Sequence, residues 1–339
     1  MIRIAAEEAW APASLLARYK KLLAEKPVAW DPGFHSLWGF FLGATPRATD
    51  LVARIQDLGE RRLADMDATG IAKQLVFVTA PGVQVFDTAT AISLARDLND
   101  QLCSETKPYP DRYAGLAVVA PQDPAAAAKE LERGVQRLGL KGAVVNSHTR
   151  GEYLDEPKFA PILEAAQALD VPLYLHPTTP PPRMIEPFLA RGLDGAVFGF
   201  AVETGLHLLR MIVGGVFDRY PKLRVVVGHL GENLPFQLFR IDFMHRSMVS
   251  SRRYEGAKPL RRKPSEYFRE NIWVTTSGMQ WAPAILFCQQ VLGVDRVMYA
   301  MDYPYQFVPD EVKVTDELPI SAAERDKLYR QNVERVFKL

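Results

Sequence analysis

Three side chains that could bind a metal or move a proton stand at the ends of apolar segments. Each comes directly after a run typical of a buried β-strand: Asp302 after Val297–Met301, His176 after Val171–Leu175 and His229 after Leu223–Gly228. Carboxylates and imidazoles are common ligands of divalent metal ions in enzymes. Because the carboxyl ends of the strands in a parallel barrel meet at one mouth, we expect these side chains to lie close together. The pattern predicts a metal-dependent enzyme.

Carboxylates at two further positions extend this candidate site. Glu7 and Glu8 end the first apolar run, and only one of them can face the barrel mouth because neighbouring strand residues point to opposite sides. Glu232 follows His229 by three residues, where a carboxylate on one imidazole nitrogen would fix the tautomer of the other. The pair would make His229 a positioned acid or base, or an outer partner of a metal. The alternative is a helix-capping glutamate beside a structural histidine.

The other histidines carry weaker signals. Glu203 and His207 have the i,i+4 spacing of a helix, and such a pair is most often a contact on the helix surface. His35, His148 and His245 lie in loop or polar segments. We assign no chemical role to these residues from the sequence.

The composition restricts the class of protein. The chain has 339 residues, 48% of them hydrophobic, so it can bury one large core. Its 41 basic and 40 acidic residues leave a net charge of +1, which provides no field for nucleic acid or an anionic membrane. The one basic cluster, residues 252–263, is interpreted as a solvated loop or a subunit contact. Two cysteines, Cys103 and Cys288, are too few for a disulfide framework or a thiolate metal site. With no signal peptide or membrane-spanning run, we expect a cytoplasmic enzyme.

Eight strand-like runs alternate with amphipathic stretches. The runs are Ile2–Glu7, Gln74–Val78, Ala114–Val119, Gly142–Asn146, Pro172–His176, Arg224–His229, Ile272–Thr275 and Val297–Met301. Helical periodicity is clearest in Ala125–Leu138, Phe159–Leu169 and Ala282–Leu292. This alternation predicts an α/β fold, a (β/α)8 TIM barrel in a single domain over residues 1–339. The segment at about 10–49 is expected to be an insertion after the first strand that forms a lid or pocket wall.

Seven short motifs together carry a family resemblance. They are Ala6–Ala9, Ser36–Phe40, Ala64–Ile71, Val118–Pro124, Leu175–Pro177, Gly228–Glu232 and Ala300–Tyr305. In combination they resemble the decarboxylase branch of the amidohydrolase superfamily, which includes the γ-resorcylate and aminocarboxymuconate semialdehyde decarboxylases. Within that branch they are most similar to the 5-carboxyvanillate decarboxylases. The resemblance covers essentially the whole chain.

The resemblance implies a site with one divalent metal ion. Glu7, His176 and Asp302 match the protein ligands, with manganese expected and zinc as the alternative. His229, supported by Glu232, matches an active-site histidine that acts beside Asp302. The resemblance thus gives Asp302 two roles, as a ligand and as a catalytic acid or base.

Substrate contacts are implied in the same way. Arg47 matches an arginine that holds the substrate carboxylate, and Arg240 and Tyr305 fall where further contacts occur. Phe41 stands where a tyrosine is expected, which removes a hydroxyl from the pocket wall and leaves the ring substituent of the substrate open. Ala9 stands where many relatives have a histidine ligand, and the remaining oxygen-rich ligand set suits Mn²⁺ better than Zn²⁺.

The implied reaction is the non-oxidative decarboxylation of an ortho-hydroxy aromatic acid, such as 5-carboxyvanillate to vanillate and CO₂. The implied enzyme is a homodimer or homotetramer that acts on a small aromatic acid, with no nucleic-acid or membrane partner. One alternative is a metal-dependent, lactonase-like hydrolase on the same barrel, with Asp302 as the base for water. The other is an inactive barrel that serves as a binding or assembly partner.

Overall fold

The computed structural model describes residues 1–339 and contains nine β-strand segments. They are β1 (Ile4–Trp10), β2 (Lys73–Val78), β3 (Tyr113–Gly115), β4 (Ala117–Val118), β5 (Ala143–Asn146), β6 (Leu173–His176), β7 (Val225–Val227), β8 (Ile272–Thr275) and β9 (Val297–Met298). All pairings are parallel, in one sheet of order β1-β2-β3 and one of order β4-β5-β6-β7-β8-β9.

Backbone hydrogen bonds join the two sheets into a closed barrel. The Leu116 N–H, between β3 and β4, donates to the carbonyl of Val76 at 3.0 Å, so these two segments form one broken strand beside β2. On the other side, the N–H groups of Ala6 and Ala9 donate to the carbonyls of Tyr299 and Tyr303 at 2.9 and 2.7 Å. Nine segments therefore fill the eight strand positions of the predicted (β/α)8 barrel, and the fold prediction is confirmed.

Helices cover the outside and the two ends of the barrel. They are α1 (Ala13–Glu25), α2 (Pro32–Phe41), α3 (Pro46–Gln56), α4 (Glu60–Ala68), α5 (Thr88–Thr106), α6 (Pro124–Leu138), α7 (Ala160–Ala168), α8 (Glu186–Leu189), α9 (Gly199–Val213), α10 (Val216–Arg219), α11 (His229–Glu232), α12 (Leu234–Ser251), α13 (Pro264–Asn271), α14 (Ala282–Leu292), α15 (Glu311–Asp316), α16 (Ala322–Asp326) and α17 (Asn332–Phe337). Short 3-10 turns lie at Val28–Trp30, Pro157–Phe159 and Val294–Arg296, and a π turn at Lys327–Gln331. No helix is both long and apolar enough to cross a membrane.

The predicted elements are present, with differences at their ends that have identifiable causes. The run at Val297–Met301 is a strand only over its first two residues, because the Tyr299 N–H donates to the carbonyl of Leu328 at 2.9 Å instead of a neighbouring strand. The run at Arg224–His229 stops at Val227, because His229 has a left-handed φ of 50°. Both breaks fall where a candidate catalytic residue leaves its strand.

The strands are buried on both faces within a hydrophobic cluster of 80 residues. The segment after β1 is attached to the loop that follows β2. The indole N–H of Trp38 in α2 donates to the carbonyl of Ala80 at 3.1 Å, and the hydroxyl of Tyr19 in α1 donates to the carbonyl of Gly82 at 2.7 Å. These contacts place α2 over the carboxyl ends of the strands.

Candidate active site

Glu7, in β1, has one carboxylate oxygen held and the other unpaired. Its Oε2 accepts hydrogen bonds from the hydroxyls of Tyr174 and Thr275, the latter at 2.6 Å. Its Oε1 is buried without a hydrogen-bond partner and lies 3.6 Å from Nε2 of His176 and 3.9 Å from Nε2 of His229. The two hydroxyls therefore orient the carboxylate so that its unpaired oxygen faces both imidazoles.

His176, the last residue of β6, presents a free ring nitrogen to the site. Its Nδ1 lies 2.9 Å from the carbonyl of Pro177, an acceptor, so Nδ1 carries the proton and Nε2 keeps its lone pair. Burial lowers the pKa of His176 to about 4. The imidazole is therefore neutral at physiological pH, which is the form that binds metal ions.

His229 is held by Glu232 in a tight turn after β7. Nδ1 of His229 lies 2.7 Å from Oε1 of Glu232, and His229, Leu230 and Glu232 have φ values of 50°, 55° and 52°. Burial by itself lowers the pKa of His229, but the carboxylates of Glu232 and Glu7 outweigh burial and raise it to about 10. The contact of Nδ1 with Glu232 leaves Nε2 of His229 free toward the cavity that this residue lines.

Asp302 follows β9 and also has a left-handed backbone, with φ 68°. A Cβ atom added to Gly278 would lie 3.2 Å from Oδ2 of Asp302 and 3.3 Å from Cδ2 of His229, so this glycine leaves room for both side chains. Burial raises the pKa of Asp302 to about 7, while the positive charge of His229 acts in the opposite direction.

Glu8 faces away from the two imidazoles. Its Oε1 and Oε2 accept hydrogen bonds from the N–H groups of Met301 and Tyr303, both at 2.9 Å. Burial raises the pKa of Glu8 to about 8, and the two N–H donors and the Arg62 guanidinium act in the opposite direction. Of the two adjacent glutamates, Glu7 is the one directed into the barrel mouth.

His176, His229 and Asp302 line a cavity of about 180 Å³. Its remaining walls come from the loops after the strands: Leu37, Phe41, Arg47, Thr79, Ala80, Pro177, Ala196, Phe200, Tyr305 and Gln306. The ring of Phe41 packs 5.1 Å from that of Tyr305, whose hydroxyl contacts Oγ1 of Thr79. Arg47 is exposed at the rim and makes no ion pair or side-chain hydrogen bond within the chain.

A larger cavity, of about 430 Å³, lies on the other side of α2. It shares Leu37 with the smaller cavity and contains His148 and Arg150, but none of the predicted metal ligands. The smaller cavity is therefore the candidate active site, because the unpaired carboxylate oxygen and the imidazoles converge at its base.

The donor atoms of this site are chemically suited to a divalent cation. Glu7 contributes an unpaired buried oxygen, His176 a neutral imidazole nitrogen and Asp302 a second carboxylate at the same mouth. In the chain alone, no three or more His, Cys, Asp or Glu side chains lie close enough together to form a complete metal site. A cation between Glu7 and His176 would satisfy the oxygen that the protein leaves without a partner.

Comparison with known proteins agrees with this geometry. A family model described as amidohydrolase matches residues 34–339. The chain belongs to the amidohydrolase family. The resemblance of the seven sequence motifs is thereby confirmed.

The similar proteins include several aromatic acid decarboxylases. The γ-resorcylate decarboxylase of Rhizobium sp. (strain MTP-10005) is 36% identical over 298 residues, which cover 86% of this chain and 90% of the relative. The 5-carboxyvanillate decarboxylase of Novosphingobium aromaticivorans DSM 12444, solved with manganese and 4-hydroxy-3-methoxy-5-nitrobenzoic acid, is 51% identical with a TM-score of 0.97, covering 100% of this chain and 96% of the other. The 5-carboxyvanillate decarboxylase of Sphingomonas paucimobilis is 37% identical with a TM-score of 0.93, covering 100% of this chain and 99% of the other.

In this amidohydrolase, one predicted substrate contact lies outside the cavity. Arg240 is exposed on α12, between the exposed rings of Phe236, Phe239 and Phe243. Arg240 is not among the residues that line the cavity of its own chain.

Glu203 and His207, whose spacing is most often that of a helix-surface contact, are both fully buried. Nε2 of His207 accepts from the Leu154 N–H at 2.9 Å, and its Nδ1 lies 3.2 Å from Oγ of Ser147. The Ser147 hydroxyl donates to Oε1 of Glu203 at 2.7 Å, and the Tyr153 hydroxyl donates to Oε2 at 3.2 Å. Burial raises the pKa of Glu203 to about 7 and lowers that of His207 to about 3. This network attaches α9 to the loop after β5.

Sequence reasoning also missed the two hydroxyls that orient Glu7. Tyr174 precedes His176 by two residues in β6, so strand alternation already places both side chains on the same face. Thr275 is a polar residue at the carboxyl end of β8, the position that identified the other candidates. Both signals were present in the sequence.

Proposed function

We propose that this amidohydrolase is a carbon–carbon lyase that decarboxylates ortho-hydroxy aromatic acids without an oxidant, with 5-carboxyvanillate as the expected substrate and vanillate and CO₂ as products. The observation that carries the proposal is the unpaired buried oxygen of Glu7, which faces two imidazoles in a cavity that also holds Asp302. Relatives named as γ-resorcylate and 5-carboxyvanillate decarboxylases support the reaction class.

The proposed metal ligands are Glu7, His176 and Asp302. Two carboxylates and one imidazole, without a thiolate, favour Mn²⁺ over Zn²⁺. A relative that is 51% identical contains manganese in its structure. When bound, the cation supplies positive charge that favours the ionised phenol of an ortho-hydroxybenzoate and polarises its carboxylate.

In the proposed reaction, Asp302 carries the proton. It accepts the phenolic proton as the substrate binds and delivers it to the ring carbon that bears the carboxylate. The bond between that carbon and the carboxylate then breaks, its electron pair restores the aromatic ring, and the carboxylate leaves as CO₂. Asp302 ends as a carboxylate and the product as a phenolate, which takes up one proton from solvent on release.

The other cavity residues bind and orient the substrate. Arg47 has no partner within the chain and can form a bidentate pair with a carboxylate at the rim. His229 is fixed at Nδ1 by Glu232, and its Nε2 lies 3.9 Å from Oε1 of Glu7. Phe41 and Tyr305 form the wall against which an aromatic ring would pack. In a single-domain chain, the segment at about 10–49 supplies Phe41, the last residue of α2, to this wall.

We also propose that the enzyme is a homodimer or homotetramer. Phe236 and Phe239 on α12 are 82% and 89% exposed, and Phe243 follows on the same helix face. A second copy of the chain would remove these rings from water, and Arg240 would then lie at the subunit interface. A cytoplasmic location and a place in aromatic compound catabolism, such as lignin degradation, complete the proposal.

Incubation of purified enzyme with 5-carboxyvanillate and a panel of ortho-hydroxy aromatic acids tests the function. We expect CO₂ release, one deuterium on the carbon that lost the carboxylate when the reaction runs in D₂O, and loss of activity to chelators with best recovery in manganese. A product that gains water instead would identify a hydrolase. Full activity after exhaustive metal removal would reject the metal-dependent mechanism.

A further inference from the structure

Glu8 lies behind Asp302, and its two carboxylate oxygens hold the backbone on either side of that residue. Oε1 accepts from the Met301 N–H and Oε2 from the Tyr303 N–H, each at 2.9 Å. Asp302 lies between these two amides with φ 68°, a left-handed conformation that is uncommon for a residue other than glycine. The Met301 amide belongs to the 300–301 peptide and the Tyr303 amide to the 302–303 peptide, so Glu8 holds the chain on both sides of Asp302 and thereby restricts the direction of the Asp302 side chain.

The surroundings of Glu8 reinforce this contact. Glu8 pairs with Tyr303 in an isolated parallel bridge, and the neighbouring Ala9 N–H donates to the Tyr303 carbonyl at 2.7 Å. Arg62 is fully buried, donates through Nη2 to the carbonyl of Ala9 and places its guanidinium 4.4 Å from the centre of the Tyr303 ring. The positive charge of Arg62 opposes the effect of burial, which raises the pKa of Glu8.

We infer that Glu8 is a positioning residue, which holds the 301–303 backbone so that the Asp302 carboxylate faces the metal and the substrate. The significance of this role rests on the proposed function of Asp302 as metal ligand and proton carrier, whereas the two hydrogen bonds are independent of it. A glutamate that only stabilised the fold would affect unfolding but would leave metal affinity unchanged. A positioning residue affects metal affinity through Asp302.

Glu8→Gln is the variant of choice, because it keeps the size of the side chain and replaces one acceptor oxygen with an NH₂ group. One of the two backbone amides would then face a donor. Glu203→Gln is the matched control, since Glu203 is also fully buried and accepts from a backbone N–H, that of His148 at 3.3 Å, but contacts no residue of 301–303.

The first measurement is amide hydrogen exchange in a peptide that covers residues 299–304, on metal-free protein without substrate. We expect exchange to be at least about tenfold faster in Glu8→Gln and within about twofold of wild type in Glu203→Gln, because only the former opens these amides. Unchanged exchange in folded Glu8→Gln would overturn the inference. This readout requires neither metal binding nor catalysis.

The second measurement is the dissociation constant of Mn²⁺. We expect Glu8→Gln to weaken binding by about 10- to 100-fold, the usual effect of losing an outer partner of a ligand, and Glu203→Gln to change it by less than about twofold. In an Asp302→Asn background, Glu8→Gln should add less than about twofold, because its effect passes through Asp302. Additive losses would show that Glu8 acts elsewhere and would overturn the positioning role.

These results separate the two hypotheses. A wild-type enzyme that releases no CO₂, while the exchange and manganese results are as expected, would reject the proposed function and support the role of Glu8. Normal CO₂ release with unchanged exchange and Mn²⁺ affinity in Glu8→Gln would reject the role of Glu8 alone.

Discussion

Glu7 keeps a buried carboxylate oxygen without a hydrogen-bond partner. Leaving a buried polar group unsatisfied costs roughly 1–3 kcal/mol, and more for a charged group. The hydroxyls of Tyr174 and Thr275 both donate to the other oxygen of the same carboxylate. Hydrogen-bond donors are therefore present beside Glu7, but none of them is directed at the unpaired oxygen. At the residue scale, a cation bound to this oxygen would offset the cost.

Asp302→Asn tests the proton carrier. Asparagine has nearly the same size and can still offer an oxygen to the metal, but it cannot accept the phenolic proton and pass it to carbon. Turnover should fall at least about a thousandfold, since a positioned acid or base commonly supplies 10²–10⁴ and the metal geometry also changes. Steady-state kinetics on samples of measured manganese content give the result. Near-normal decarboxylation by the metal-loaded variant would place the proton elsewhere, with His229 as the first candidate.

Arg47→Lys tests the carboxylate clamp. A lysine keeps the charge but lacks the planar fork that pairs with both carboxylate oxygens. We expect kcat/KM to fall about tenfold or more, by the loss of one charge-assisted hydrogen bond, while manganese content is retained. Arg61→Lys, which alters a partly exposed arginine paired with Asp50, is the control and should remain at the wild-type value. Unchanged kcat/KM in Arg47→Lys would exclude Arg47 from the site.

At the scale of elements, the candidate catalytic residues lie where a strand ends in a tight turn. After β7 the chain passes through Gly228 and then five consecutive left-handed residues, 229–233, which brings His229 and its partner Glu232 to the same side. Gly228 itself packs against Glu7: an added Cβ would lie 2.6 and 2.7 Å from the two carboxylate oxygens. The absence of a side chain at this position lets the carboxylate occupy the barrel mouth.

Gly228→Ala should therefore displace the Glu7 carboxylate and weaken Mn²⁺ binding by about tenfold or more, in the range seen when the support of a ligand is disturbed. Titration calorimetry of manganese binding provides the measurement. Gly256→Ala is the control, because an added Cβ at Gly256 has no atom within 4 Å. Equal affinity in both variants would mean that Glu7 moves aside without consequence and is not a ligand.

The network on α9 predicts a pH dependence of stability. Burial raises the pKa of Glu203 to about 7 from 4.5, while Tyr153, Ser147, the His148 N–H and Arg210 act in the opposite direction. The folded chain thus holds a proton that the unfolded chain releases, so this stabilising contribution is complete below about pH 4.5 and is lost as the pH rises through about 7.

Relative to Glu203→Gln, the free energy of unfolding of the wild type should fall by about 2–3 kcal/mol between pH 4.5 and 7. Urea denaturation of both proteins in a chelator, at a series of pH values, measures the difference. Parallel pH profiles for the two proteins would show that Glu203 stays ionised throughout this window.

At the scale of the whole molecule, α12 exposes a row of aromatic side chains that the barrel does not need for its own core. Phe236, Phe239 and Phe243 are spaced by three and four residues, so they share one face of the helix. Burying each ring would contribute roughly 1.5–3 kcal/mol. A contiguous apolar face of this kind is typical of a subunit interface.

Phe239→Glu should convert the proposed dimer or tetramer to a smaller species, because it would place an unpaired charge in the centre of the interface. Light scattering coupled to size-exclusion chromatography measures the molar mass. Gln136→Glu adds the same charge at an exposed position of α6 and should leave the mass unchanged. An unaltered mass in Phe239→Glu would show that this face is not the interface.

Local patterns were sufficient to predict the barrel and the end of it at which its candidate catalytic residues lie. Apolar strands alternating with amphipathic helices can bury their surfaces in few ways, and the carboxyl ends of parallel strands must meet. His176, His229 and Asp302 therefore came to one cavity, as the ends of their strands indicated. The family resemblance added Arg47, Phe41 and Tyr305, which helices and loops bring to the same walls.

Only the tertiary structure decided which of two neighbouring residues faces the site and which face of a helix is buried. Strand alternation puts Glu7 and Glu8 on opposite faces but does not say which of them faces the mouth. The register of β1 against β2 also shifts between Ala5 and Glu8, so the alternation cannot be extended from the start of the strand to these residues. Helical spacing likewise groups Glu203 with His207 without saying whether that face meets solvent or another element. Which face of a helix or strand packs against the core depends on contacts between residues far apart in the chain. The periodicity of a sequence shows only which residues share a face.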